Sequence, residues 1–170
     1  MSKPWRVIFA LFLAPALLAV SSFAAASAGQ INISDLTVRE MLPGSKVTSA
    51  YFALTNHSEQ PVTLTSVSSA LSKRIEIHQH TMKNGLMKMS HVKGGVVIKP
   101  HDTLRFVAGG YHLMVFNPLS KVKKGEAVEL TFHVKQADAA SNTVSSTIKA
   151  SGKVVSVLDE QQAKKQHHHH

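Results

Sequence analysis

From Gln30 onward the chain is a succession of short runs in which apolar and polar residues alternate, cut by turn signals, and that pattern restricts it to β-structure. In "VELTFHV", Val128, Leu130, Phe132 and Val134 alternate with Glu129, Thr131 and His133. The same period runs through Ile31 to Arg39, Ser49 to Asn56, Val62 to Val67, Arg74 to His80, Leu86 to His91, Thr103 to Val107 and Thr143 to Ala150. Breaks fall at Pro43-Gly44, Asn56 through Pro61, Asn84-Gly85, Gly94-Gly95, Gly109-Gly110, Asn117-Pro118 and Gly125, where the residues suit turns. About eight strands at this spacing predict an all-β fold, an antiparallel Greek-key sandwich or barrel. A convincing helical period is absent, and Ala137 to Asn142 reads as a loop or a single helical turn.

The segment before these strands has a different character. Lys3 and Arg6 precede an apolar run from Val7 to Val20, and Ala26-Ser27-Ala28 supplies the small residues a signal peptidase reads. Residues 1–28 are therefore expected to be an export signal, cleaved after Ala28, and the run is too short for a membrane span. One domain, residues 29–158, is expected to follow, with no transmembrane segment. Residues 159–170 form a polar tail ending in His167 to His170, either native or the remnant of an affinity tag.

Cysteine is absent from the chain. Disulfides, thiol exchange and every thiolate-ligated centre are thereby excluded. The net charge of +9 becomes +7 without Lys3 and Arg6. Its clusters, Lys121 to Lys124 and Lys164-Lys165, have no interleaved aromatic residues, so a nucleic-acid partner is not expected.

Two stretches hold the chemistry. In "GGYHLMVFNP", Tyr111, Leu113 and Val115 point to one face of a strand while His112 and Met114 share the other. In "RIEIHQHTMKNGLMKMSH", Asn84-Gly85 between alternating runs predicts a two-residue type I′ hairpin. That register sets His78 opposite His91, His80 opposite Met89 and Met82 opposite Met87, all on one face, with Ile75 and Ile77 on the other. Met89 is a diagonal neighbour of His78. Three His and three Met on one hairpin face suit neither a packed stripe, which favours Ile and Val, nor a solvated one, which favours Lys, Thr and Glu. Thioethers beside imidazoles are the donor set that suits Cu(I), whereas Zn²⁺ prefers thiolate, carboxylate or His alone. His80 and Met89 are the directly opposed pair, so a bulge or a longer turn would change which His leads.

The order His78, Met89, His112-Leu113-Met114 resembles the His-x10-Met and His-x-Met signature of the periplasmic copper chaperones of the PCuAC type. Asn56 after "AYFALT", Gly85, "GGYHLM" and "PLSKVKKGEAVELTF" support the resemblance, which spans about Ile31 to Val134. It implies a cupredoxin-like fold, no enzymatic activity, and one Cu(I) held by His78, Met89, His112 and Met114. It further implies a monomer in the periplasm that serves copper homeostasis and cytochrome oxidase assembly, with a Sco-type copper protein or an oxidase copper-centre subunit as partner. "KPHD" and "VFNP" depart from the family's usual continuations without removing a ligand. His80, Met82, Met87 and His91 are read as outer or loading residues or as spectators, and His57, His101 and His133 as surface positions. Phe106 and Tyr111 are read as core or as walls of the site. The alternatives are copper sequestration, a copper oxidoreductase or electron carrier, disfavoured because Cys is lacking, and a β-sandwich adhesion module that binds no copper.

Overall fold

The computed structural model of the protein describes residues 30–137 and 142–157, all but a few of them in strands and tight turns. The expected export signal, the polar tail and most of the Ala137 to Asn142 segment lie outside the described residues. The strands are β1 (Ile31–Arg39), β2 (Val47–Asn56), β3 (Val62–Ser68), β4 (Arg74–Lys83), β5 (Leu86–His91), β6 (Val96–Ile98), β7 (Thr103–Phe106), β8 (Tyr111–Phe116), β9 (Ala127–Ala137) and β10 (Thr143–Val155). They form one curled sheet in the order β5-β4-β8-β2-β1-β10-β9-β3-β6, with β7 also paired to β2.

The sheet curls because most of its strands have one apolar face that has to be covered. In β9 the alternation foreseen above buries Leu130, Phe132 and Val134, and across the fold Val38, Leu54, Leu64 and Leu113 are equally withdrawn from solvent. Phe52 stacks on Phe106 with ring centroids 4.1 Å apart and meets Phe132 edge-on at 4.8 Å. Truncating such a buried ring costs about 3–5 kcal/mol. Phe106 is therefore a core residue.

In two respects the sheet differs from the expectation. It is mixed, because Thr37–Arg39 of β1 run parallel to Lys153–Val155 of β10 while the other pairings are antiparallel. A bulge between Ser34 and Thr37, with Asp35 at a φ of 55°, lets β1 hold β2 along one side and turn toward β10 on the other. Alternation within a strand does not encode the direction of its neighbour. In addition, Val96–Ile98 form a short strand on β3, a run of three residues too brief for the period to show.

Asn56, fully buried at the end of β2, closes the rim. Its amide nitrogen donates to the carbonyls of Gln60, Ile98 and Lys99, and its oxygen accepts from the backbone nitrogen and hydroxyl of Ser58.

Candidate metal centre

Asn84 and Gly85 have φ values of 52° and 76°, the left-handed pair that a type I′ turn requires. β4 and β5 consequently pair in the expected register, His78 with His91, His80 with Met89 and Met82 with Met87. The other side of β4 is covered by β8, where His78 is opposite His112 and Glu76 opposite Met114. Directly paired residues of adjacent strands share a face. His91, His78 and His112 thus form a row across three strands, and the apolar face beneath them is held by Ile77 and Leu113.

Of the four expected ligands, His78 and His112 are cross-strand partners, their ring centroids 6.1 Å apart. Met89 and Met114 each occupy a position diagonal to His78, on β5 toward His80 and on β8 toward Glu76. The two histidines are buried, at 9% and 4% exposure, whereas Met89 is 44% exposed. The donors are therefore layered, with the imidazoles inside, Met114 half-buried and Met89 toward solvent. His57 and His101 are exposed, and His101 lies 3.1 Å from the Glu59 carboxylate. His133 bonds the Ser68 hydroxyl at 2.8 Å.

Each inner imidazole has one nitrogen tied down. The Glu76 carboxylate accepts from His78 Nε2 at 2.8 Å, and its other oxygen accepts from Arg74 Nε at 2.8 Å. That leaves the lone pair on His78 Nδ1, which is buried without a hydrogen-bond partner. On β8, His112 Nδ1 donates to the Gly110 carbonyl at 3.1 Å, so its lone pair sits on Nε2. The same carbonyl accepts from the His80 backbone nitrogen at 3.1 Å, locking β4 to the start of β8. Two imidazoles oriented by a carboxylate and a carbonyl, each presenting a lone pair, are the form in which His binds a metal.

The electrostatics favour the same state. The hydrogen bond from His78, followed by Arg74, holds the Glu76 carboxyl below its usual range against the opposing effect of burial. Burial first, then the neighbouring His80 and His78, lower the pKa of His112, with the Gly110 carbonyl opposing. His112 is thereby kept neutral. Among the described residues no three His, Asp or Glu side chains are placed to hold a metal ion between them. Met89 and Met114 are the neighbouring side chains that could add donors to the two imidazoles, and thioether sulfur suits soft cations rather than hard ones.

Sequence reasoning missed Glu76. Its parity with His78, two residues along the same strand, was the signal available.

Residues 31–146 match the family model LpqE-like, whose description is "Putative lipoprotein LpqE-like". Lxx21020 of Leifsonia xyli subsp. xyli is 24% identical over 106 residues, 62% of this chain and 63% of that protein. RP573 of Rickettsia prowazekii is 30% identical over 82 residues, 48% of this chain and 45% of that protein. The chain thus spans less than two thirds of the length of the curated relatives it matches. Among solved structures, apo-DR1885 from Deinococcus radiodurans superposes with a TM-score of 0.54 at 26% identity, covering 92% of this chain and 95% of that one. The copper-bound PCuAC domain from PmoF2 gives a TM-score of 0.54 at 20% identity, covering 75% and 95%. The curled sheet is the cupredoxin-like fold of PCuAC domains.

Proposed function

The chain belongs to the LpqE-like family, which is the family of the PCuAC domains, and from that premise we propose that it is an exported carrier of Cu(I). The observation that supports this most directly is the buried, unpartnered Nδ1 of His78 beside His112. Two oriented imidazoles suit a soft monovalent ion, and Met89 and Met114 supply thioethers without the need to lose a proton. The copper is cargo. The exposed thioether of Met89 lets a docking partner displace ligands one at a time, and nothing in this arrangement calls for a reaction on a substrate. The copper-bound PmoF2 domain shares the fold, which agrees with copper as the ion.

The reading extends to delivery in the periplasm, toward a respiratory oxidase copper centre, with a Sco-type protein or the oxidase subunit as recipient. Sequestration of toxic copper would use the same site. Deletion that impairs oxidase assembly supports delivery, while copper sensitivity with a normal oxidase supports sequestration.

The binding itself is tested by anaerobic Cu(I) titration against a competing chelator, using the parent and the His112→Ala and Met114→Ala variants. One tight equivalent in the parent, clearly weakened in both variants, is expected. Equal affinity in all three would remove the assignment and leave the fold untouched.

A further inference from the structure

The β4–β5 hairpin continues outward past the inner histidines with donors that the proposed site leaves over. Beyond the His80 and Met89 pair, Met82 faces Met87 on the same side of the ribbon. The methionines at 82, 87 and 89 are 65%, 58% and 44% exposed. β5 is the edge of the sheet, where charged residues or proline ordinarily discourage pairing with other chains. Thioethers on such an edge call for another reason.

His80 supplies one. Its Nδ1 is buried and has no hydrogen-bond partner, a state that polar groups in folded proteins rarely occupy without a ligand. Its ring stacks on His112, with centroids 4.8 Å apart and planes inclined by 19°. No Asp or Glu occurs between Ile77 and His91, and Lys83 and Lys88 are the charged residues of that stretch. Hard divalent cations, which need oxygen donors and negative charge, are excluded by that composition.

We propose that the hairpin holds a second, outer Cu(I) site made by His80 Nδ1 with the sulfurs of Met82 and Met87, and that Met89 lies between it and the inner pair. The inference rests on the reading of His78 and His112 as the inner copper site. Copper enters at the exposed tip, where the thioethers meet solvent, and moves inward as imidazole replaces sulfur. The stacked rings of His80 and His112 make the two sites contiguous. The outer site is the weaker, because its sulfurs sit on exposed side chains that must be ordered on binding.

The test is an anaerobic Cu(I) titration of the full chain, labelled with ¹⁵N throughout and with ¹³C at the methionine methyls and histidine rings, followed by NMR. The first equivalent is expected to move the Met89 and Met114 methyls, and the second those of Met82 and Met87. In a Met82→Leu, Met87→Leu variant the response of the His80 ring to the second equivalent is expected to be lost, while the Met89 and Met114 methyls respond to the first as in the parent. Leu conserves volume at two exposed sites, and an unaltered amide spectrum outside the hairpin confirms the fold. Met82 and Met87 methyls that stay fixed through the second equivalent would overturn the outer site. So would a double variant in which His80 still responds to the second equivalent as in the parent. Movement of Met82 and Met87 with Met114 and His112 unmoved supports the outer site and removes the inner one.

Discussion

Glu76 does for His78 what the Gly110 carbonyl does for His112, fixing one ring nitrogen so that the other is presented. Removing the charge while keeping the shape separates these roles. Glu76→Gln should fold normally and bind Cu(I) about tenfold more weakly, the range expected when a partner that orients a ligand is lost. Chelator competition beside a thermal melt measures both. The same two residues set the acid limit. His112 titrates below its ordinary value near 6.5, so the unfolded chain takes up its proton first and stability falls as pH drops from that value toward the lowered one. Glu76 titrates below its ordinary value near 4.5. Its contribution is present above 4.5 and disappears as pH falls through the lowered pKa. Urea unfolding across pH should therefore show stability declining first below about 6.5 and again below about 4.5, and Glu76→Gln should abolish the second decline.

The β4–β5 hairpin is the element on which copper binding turns, because a strand's period of two makes each position either useful or useless to the site. Exchanging neighbours tests this without a change in composition. A chain with Lys88→Met and Met89→Lys keeps its charge and its turn but moves a thioether to the opposite face. Its Cu(I) affinity should drop as far as that of Met89→Ala, with an unchanged circular dichroism spectrum. If the exchanged chain bound as the parent does, Met89 would not belong to the site. The turn itself was readable at once, since Asn84-Gly85 is the dipeptide for which two successive positive φ values cost least.

At the scale of the whole molecule the sheet is held together by contacts between distant segments. Where β10 passes β1, Gly152 lies against the Leu36 carbonyl, and a Cβ there would meet that oxygen and stand 2.6 Å from Leu36 Cγ. Gly152→Ala should destabilise the protein by about 2 kcal/mol, the usual cost of overpacking, seen as a lowered thermal midpoint. Gly152 gives no hint of this in sequence, because it interrupts an ordinary alternating run. β6 was hidden for a different reason, its three residues being shorter than any period can reveal.

What the sequence by itself determined is everything local: the strand period, the hairpin register, the absence of thiolate and the face on which His78, His80, Met82, Met87, Met89 and His91 stand. Tertiary structure alone decided that β8 lies beside β4, bringing His112 to His78 across 34 residues of chain, and that β1 runs parallel to β10. Hydrogen bonds within a turn are dictated by the residues that make it. Which strands become neighbours is instead settled by competition among all of them to cover one shared apolar interior.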